Sequence, residues 1–339
     1  MKNFAIQVKQ LPEPGLLNSD TFDIVENPVP ELRDGEFLMR VIYLSIDAGS
    51  RAQLDDRGGY VIKTGPGQIM SGSGAVGQVI ESRHPDWQVG DYLATTRSRW
   101  SSIIRVKGDT PFLTKIDPKA APLEAYLGIF GMVGFTAWLG ITQIAQAKTT
   151  DTVLVSAAAG ATGSVAGQLA KAIGATVIGI AGGAEKCQWV KQELGFDDCI
   201  DYKTGDIANS ITKHCPLGVD VYYDNVGGAI QQAAFNAMNT HGRIALCGMV
   251  TQYSGEGEAP GPNLMDAIIK RLSLRGFLAN DHMALLPTFQ QEALDFYQRG
   301  QLNHYATVTK GIDNIHQAIN SLTSGKNIGK QLCQIGDIE

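Results

Sequence analysis

The chain of 339 residues has five cysteines, none before position 187, and in that long first stretch a single histidine, His84. A catalytic zinc needs about three Cys, His or carboxylate ligands and a structural zinc four closely spaced thiolates, so the first 186 residues assemble neither. The cysteines at 187, 199, 215, 247 and 333 are scattered and odd in number, which fits reduced intracellular thiols and excludes a disulfide framework. The remaining histidines, at 214, 241, 282, 304 and 316, stand singly and read as structural. No Ser, His and Asp set with a nucleophile elbow is present. Positive charge is also scarce: 28 Lys and Arg against 34 Asp and Glu leave a net charge of -6. With no basic run and no aromatic-basic interleaving, a nucleic-acid or anionic membrane surface is not expected. The opening residues lack a charged segment followed by an apolar one, so a cytoplasmic location is expected. One uncharged run, 125–147, is long enough to span a bilayer. It is broken by Gly128, Gly131, Gly134 and Gly140 and carries Gln143 and Gln146, so a buried helix is the preferred reading.

A hydrophobic content of 44% is enough for a full core, and the length suits one large or two medium domains. Residues 1–122 read as short strands cut by turns, among them Phe37 to Leu44, Gly74 to Glu81 and Asp91 to Thr96. After Asp117-Pro118 and Pro122, strands alternate with helices, the signature of right-handed crossovers in a parallel sheet. The tail supplies a helix ending near Gly300, a strand, a helix ending near Gly325 and a last strand, 329–334. These return the chain to the β lobe. The expected architecture is therefore α/β, with a β lobe from 1–122 and 290–339 and a doubly wound parallel sheet from 123–289.

The second domain is organised around 152–171, TVLVSAAAGATGSVAGQLAK. A β-branched apolar strand, Thr152 to Ser156, runs into Gly160 and Gly163, with Gly167 one helical turn on. Such glycines allow a tight turn, close approach to a pyrophosphate and packing of helix on strand, while the helix N-terminus faces the anion. Ala158 stands where the first glycine of G-x-G-x-x-G belongs, and a glycine turn without a ligand is the alternative. The next strand, Thr176 to Ile180, ends in Ala181, Gly182 and Gly183 without the carboxylate that would hold a ribose 2'-hydroxyl. Lys186 follows, and Tyr202 closes the third strand. A cation and a phenol without a competing acid suit a 2'-phosphate, so NADP(H) is favoured over NAD(H). Glu185 is the dissenting residue and reads as the exposed first turn of a helix.

The motifs Leu44-Ser45-Ile46-Asp47, Gly131 to Ala137, Ala157 to Gly163, Glu185-Lys186, Leu194 to Asp197, Asp224 to Gly228, Cys247 to Tyr253, Gly276-Phe277 and Gly325 to Lys330 together carry a resemblance over almost the whole chain. The sequence resembles the zinc-free medium-chain dehydrogenase/reductases of the leukotriene B4 dehydrogenase, prostaglandin reductase and curcumin reductase group. The resemblance implies a GroES-like β lobe plus a Rossmann-type sheet, a homodimer, and reduction of the C=C bond of α,β-unsaturated ketones and aldehydes with NADPH. It also implies cofactor contacts. Gly160, Ala161, Thr162 and Gly163 would hold the pyrophosphate, and Lys186 and Tyr202 the 2'-phosphate. Asn225, the loop of Cys247, Gly248, Met249, Val250, Thr251, Gln252 and Tyr253, then Phe277, Leu278, Ala279 and Asn327, would hold the nicotinamide half. Considered alone, Asn225 and Asn327 are turn or cap residues and Cys247 a small buried one.

Without a metal, hydrogen bonds must polarise the substrate. As hydride reaches the β-carbon, charge grows on the carbonyl oxygen, and a donor aimed there is worth roughly 3 kcal/mol. Tyr253 is the candidate donor, with packing in its Gly/Pro-rich loop as the alternative. After Asp47 this chain reads Ala48-Gly49-Ser50-Arg51 where many relatives read Pro-Tyr-Met-Arg, so a tyrosine beside the substrate is replaced by Gly49. Tyr43 and Tyr60 are the candidates to substitute for it. A quinone reductase and a noncatalytic NADPH-binding sensor are the rival functions.

Overall fold

The computed structural model describes residues 1–13, 15–55, 62–252 and 261–338. They form two compact units, Met1–Leu127 with 306–338, and Gly128–Gln252 with 261–305.

In the first unit the strand Glu36–Ser45 is central. It pairs antiparallel with Ala75–Ser82, Ile103–Lys107 and Lys330–Gln334, and the last of these pairs parallel with Ala306–Lys310. Its sequence, EFLMRVIYLS, is apolar almost throughout because both faces are covered, and only Arg40 is not buried. On one side Phe37, Met39, Val41 and Leu44 join a core with Trp87, Trp100 and Ile319; on the other Ile42 and Tyr43 pack with Leu127 and Leu332.

The second unit holds a six-stranded parallel sheet. In chain order its strands are β1 (Thr152–Ser156), β2 (Thr176–Ala181), β3 (Asp198–Asp201), β4 (Val219–Asp224), β5 (Met238–Leu246) and β6 (Ser273–Gly276). Their order across the sheet is 3-2-1-4-5-6. The helices are α1 (Met132–Trp138), α2 (Ala161–Ile173), α3 (Ala184–Leu194), α4 (Ile207–His214), α5 (Gly228–Ala237), α6 (Leu264–Lys270) and α7 (Leu286–Gln298). The chain reverses direction across the sheet between β1 and β4, and crevices for ligands open at the strand carboxyl ends there.

Two expectations are corrected. The uncharged run 125–147 is not one helix: Gly131 starts α1 in extended conformation, and from Leu139 to Ile144 the helix widens to π spacing. Among the described residues no helix is long and apolar enough to cross a membrane. The boundaries also move. Residues 123–127 belong with the first unit, where Leu123 and Leu127 pack against Tyr43 and Leu332. Residues 290–305 stay with the second unit, because α7 lays Phe289 against Phe135 and Trp138 and its Glu292 accepts the indole N–H of Trp138 at 2.7 Å.

Candidate cofactor groove

The turn after β1 is built on backbone contacts. Ala157 adopts a left-handed φ of 51°, the Ala158 amide donates to the Ile180 carbonyl at 3.0 Å, and Gly160 donates to the Ala157 carbonyl at 2.8 Å before capping α2. A Cβ on Gly163 would lie 2.3 Å from the Ala157 oxygen, and one on Gly167 would lie 1.7 Å from the Phe196 ring. Neither position admits a side chain. Ala158, the departure from the three-glycine pattern, is accommodated from the neighbouring strand: a Cβ on Gly179 of β2 would meet the Ala158 methyl at 2.8 Å. The missing first glycine is thus matched by a glycine opposite it. Ala161, Thr162 and Gly163 form the first turn of α2, whose amides have no intrahelical acceptors, an arrangement that suits an anion.

At the end of β2 the chain turns through Gly182 and Gly183, the latter at φ 102°. The Asp201 carboxylate accepts from the Gly183 amide at 2.8 Å and from the Lys203 amide at 3.0 Å, so it is spent on the two turns. A Cβ on Gly182 would sit 2.9 Å from the Tyr202 hydroxyl and 3.0 Å from Lys203 Cε, which places both side chains over the glycine turn. Lys186 is half-buried at the start of α3. Burial and the ammonium of Lys203 push its pKa down, with Glu185 pulling weakly the other way. Glu185 is exposed, as read from the sequence. Lys203 was not singled out from the sequence; the YK pair at the strand end is the signal.

At the ends of β4 and β5 one buried carboxylate organises the backbone. Asp224 Oδ1 accepts from the Tyr222 hydroxyl at 2.9 Å and from the amides of Val226 and Gly227 at 2.9 and 3.0 Å, and Oδ2 accepts from Gln231 at 2.8 Å. Its main-chain oxygen accepts from Cys247 and Gly248 at 2.9 and 3.0 Å. Asn225 donates through Nδ2 to the Ser156 oxygen at 2.7 Å, and its amide donates to Ser156 Oγ at 2.9 Å. The loop 247–252 is pinned further: Val250 donates to the Asn225 carbonyl, Thr251 to Val226, and Gln252 to Met249. The carboxyl ends of β1, β4 and β5 are therefore one hydrogen-bonded assembly. The acid in the apolar run VYYD was the sequence signal for it.

Tyr223, fully buried, donates to the Thr136 carbonyl at 3.2 Å, and its hydroxyl also meets the Cys247 thiol. Burial and the charge of Asp224 push that thiol up to about 11. A Cβ on Gly140 would meet the Tyr223 ring at 2.2 Å and Phe277 at 3.1 Å, so Phe277 lies against the same glycine. Leu278 is exposed and Ala279 half-buried beside it.

The remaining candidates lie elsewhere or outside the described residues. Asn327 belongs to the first unit, where it is buried and donates to the Gly329 carbonyl at 2.9 Å, the turn contact its sequence setting allowed. Tyr43 does not take over from the replaced tyrosine: its hydroxyl donates to Glu124 at 2.7 Å within the core of that unit. Tyr253 and Tyr60 lie outside the described residues. Also in the first unit, Asp47 pairs with Lys330 at 2.6 Å, with the hydroxyls of Ser45 and Ser73 on its other oxygen. Burial pushes the Asp47 carboxyl up, but Lys330 and the hydroxyls outweigh it and hold it below the usual range. Among the described residues no group of three His, Cys, Asp or Glu is arranged to hold a metal.

This geometry, a parallel sheet of order 3-2-1-4-5-6 with a glycine turn leading into a helix N-terminus at its switch point, is that of a dinucleotide-binding domain. Comparisons extend it. Residues 161–299 match the family model of zinc-binding dehydrogenases, and 5–114 match that of the N-terminal domain of oxidoreductase. The chain is 36% identical to the NADPH-dependent curcumin reductase of Escherichia coli (strain K12), over 93% of this chain and 92% of that one. It is 36% identical to the NADP(+)-dependent 2-alkenal reductase of Nicotiana tabacum, over 91% and 89% respectively. The crystal structure of CurA in complex with NADPH from Vibrio vulnificus superposes with a TM-score of 0.91 at 34% identity, covering 99% of this chain and all of that one. The protein belongs to the medium-chain dehydrogenase/reductase family, in its curcumin, prostaglandin and alkenal reductase group.

Proposed function

We propose that the protein is an NADPH-dependent ene-reductase that saturates the C=C bond of α,β-unsaturated ketones and aldehydes. The observation that carries this reading is the glycine turn between β1 and α2 together with a β2 end where the Asp201 carboxylate is taken up by backbone amides, an arrangement in which Lys186 and Tyr202 suit a dinucleotide bearing a 2'-phosphate. Curcumin and alkenal reductases at 36% identity over nearly the whole chain give the substrate class. When bound, NADPH supplies the hydride that goes to the substrate β-carbon.

The chain's own residues bind and orient. The amides of Ala161, Thr162 and Gly163 and the flank of Gly160 take the pyrophosphate; Lys186 and Tyr202 take the 2'-phosphate. Asn225, Cys247 to Gln252 and Phe277 to Ala279 flank the nicotinamide half. Tyr253 completes the set on the family resemblance, its phenol donating to the carbonyl oxygen as charge develops there. In this division of labour the second unit is the cofactor domain and the first the substrate domain.

The protein acts as a cytoplasmic homodimer in this reading. Among the described residues the edge strand β6 pairs only with β5, and α6 exposes Leu264, Met265, Ile268 and Ile269, with Ile268 71% exposed. An apolar edge of this kind on a parallel sheet invites a second copy in an isologous contact. Five thiols suit a reducing compartment.

The test is NADPH and NADH consumption by the purified protein with an alkenal, curcumin and a simple quinone in parallel. Enone-dependent NADPH loss with a saturated ketone as product is expected. Turnover of the quinone alone would mean a quinone reductase, and tight NADPH binding without turnover of any acceptor a sensor.

A further inference from the structure

The pocket beyond β2 carries more positive charge than one lysine. Tyr202 and Lys203 follow β3 directly, and both reach back over Gly182, with Lys203 Cε 3.0 Å from the position a Gly182 Cβ would take. That fold-back is set by the backbone. The Lys203 amide donates to Asp201 Oδ1, which also accepts from Gly183, and the Thr204 hydroxyl donates to the Asp201 carbonyl at 2.9 Å. The turn 201–204 is thereby tied to the turn 182–183, and the Lys203 stem is held over the latter.

The electrostatics agree with this placement. The Lys203 ammonium makes no ion pair among the described residues, and it is near enough to Lys186 to depress the Lys186 pKa. The two ammonium groups repel each other, and the carboxylate tied to this turn, Asp201, already accepts from two amides. A doubly charged anion between them would reverse that repulsion, and its charge-assisted hydrogen bonds would be about twice as strong as neutral ones. Gly182 contributes the absence of a side chain that would otherwise fill the space.

We propose that Lys203 is a second cation of the 2'-phosphate pocket and a determinant of NADPH over NADH. The proposal rests on the NADP(H) reading above. Lys203 reaches the phosphate from the β3 side as Lys186 reaches it from α3, with the Tyr202 phenol between them.

The test is equilibrium binding of NADPH, NADH, adenosine 2',5'-bisphosphate and 5'-AMP, by fluorescence and calorimetry, to the wild type and to Lys203→Ala, Lys203→Arg and Lys186→Ala. The expected result is that Lys203→Ala weakens NADPH and the bisphosphate about ten-fold and leaves NADH and 5'-AMP unchanged. Lys203→Arg should restore the loss, and the salt dependence of NADPH binding should flatten in Lys203→Ala. NADPH affinity unchanged in Lys203→Ala but lowered in Lys186→Ala would overturn the role of Lys203 and keep the cofactor reading. Equal wild-type affinity for NADPH and NADH would overturn the cofactor reading, and the proposal with it.

Discussion

Single residues of the groove divide into those that touch the ligand and those that hold the backbone for it. On the function proposed above Lys186 is of the first kind, and Lys186→Ala is expected to raise the NADPH Kd about ten- to a hundred-fold, roughly 1.5–3 kcal/mol for a charge-assisted hydrogen bond, with NADH affinity little changed. Competitive titration of the two cofactors checks it. Asp224 is of the second kind. It accepts donors from Tyr222, Val226, Gly227 and Gln231 while fully buried, so Asp224→Ala strands several of them at about 1–3 kcal/mol each, and thermal unfolding should register a loss of several kcal/mol. The glycines and Lys186 were legible in the sequence because their chemistry depends on residue type and local spacing. For Asp224 and Lys203 the sequence held only a residue-type signal, the acid of VYYD and the YK pair, because their roles come from which strand ends lie side by side.

At the scale of elements, the sequence pattern located β1 to the residue, since it is a clean β-branched apolar run bounded by a glycine turn. What it missed was α1 and its continuation. Leu139 donates to both Phe135 and Thr136, Ala145 donates to Gly140, five residues back, and the Thr136 carbonyl also takes the Tyr223 hydroxyl. Widening of this sort depends on a partner from β4, which local composition does not encode. The same hydroxyl meets the Cys247 thiol and pulls its pKa down, but burial outweighs that contact. With the thiol pushed up to about 11 from an ordinary 9, it is protonated at neutral pH, and iodoacetamide labelling of Cys247 should rise only as the pH approaches 11. Peptide mapping across a pH series reads this directly; a midpoint near the ordinary thiol value would show that burial and Asp224 do not govern it.

For the whole molecule, two tests concern assembly and acid stability. On the dimer proposed above, Ile268→Glu on the exposed face of α6 should give a monomer in sedimentation while leaving the Rossmann sheet intact. In the first unit, Asp47 gains its charge-stabilising partners only on folding. Its folded pKa is below the ordinary 3.8, so the stability it contributes is complete above that value and fades as the pH falls through the lower, folded one. Asp47→Asn removes the partner of Lys330, which is only 2% exposed, and should cost about 3–5 kcal/mol at neutral pH and flatten this acid limb. Chemical denaturation at a series of pH values measures both. The strand pairing of the same unit has a consequence for how the chain is made. Glu36–Ser45 finds one neighbour, Lys330–Gln334, only after nearly three hundred further residues, with Ser45 opposite Leu332. During synthesis the β lobe must wait with an apolar strand edge unsatisfied until residues 330–334 have emerged. Nascent chains halted before residue 330 are therefore the species that chaperones would be needed to shield.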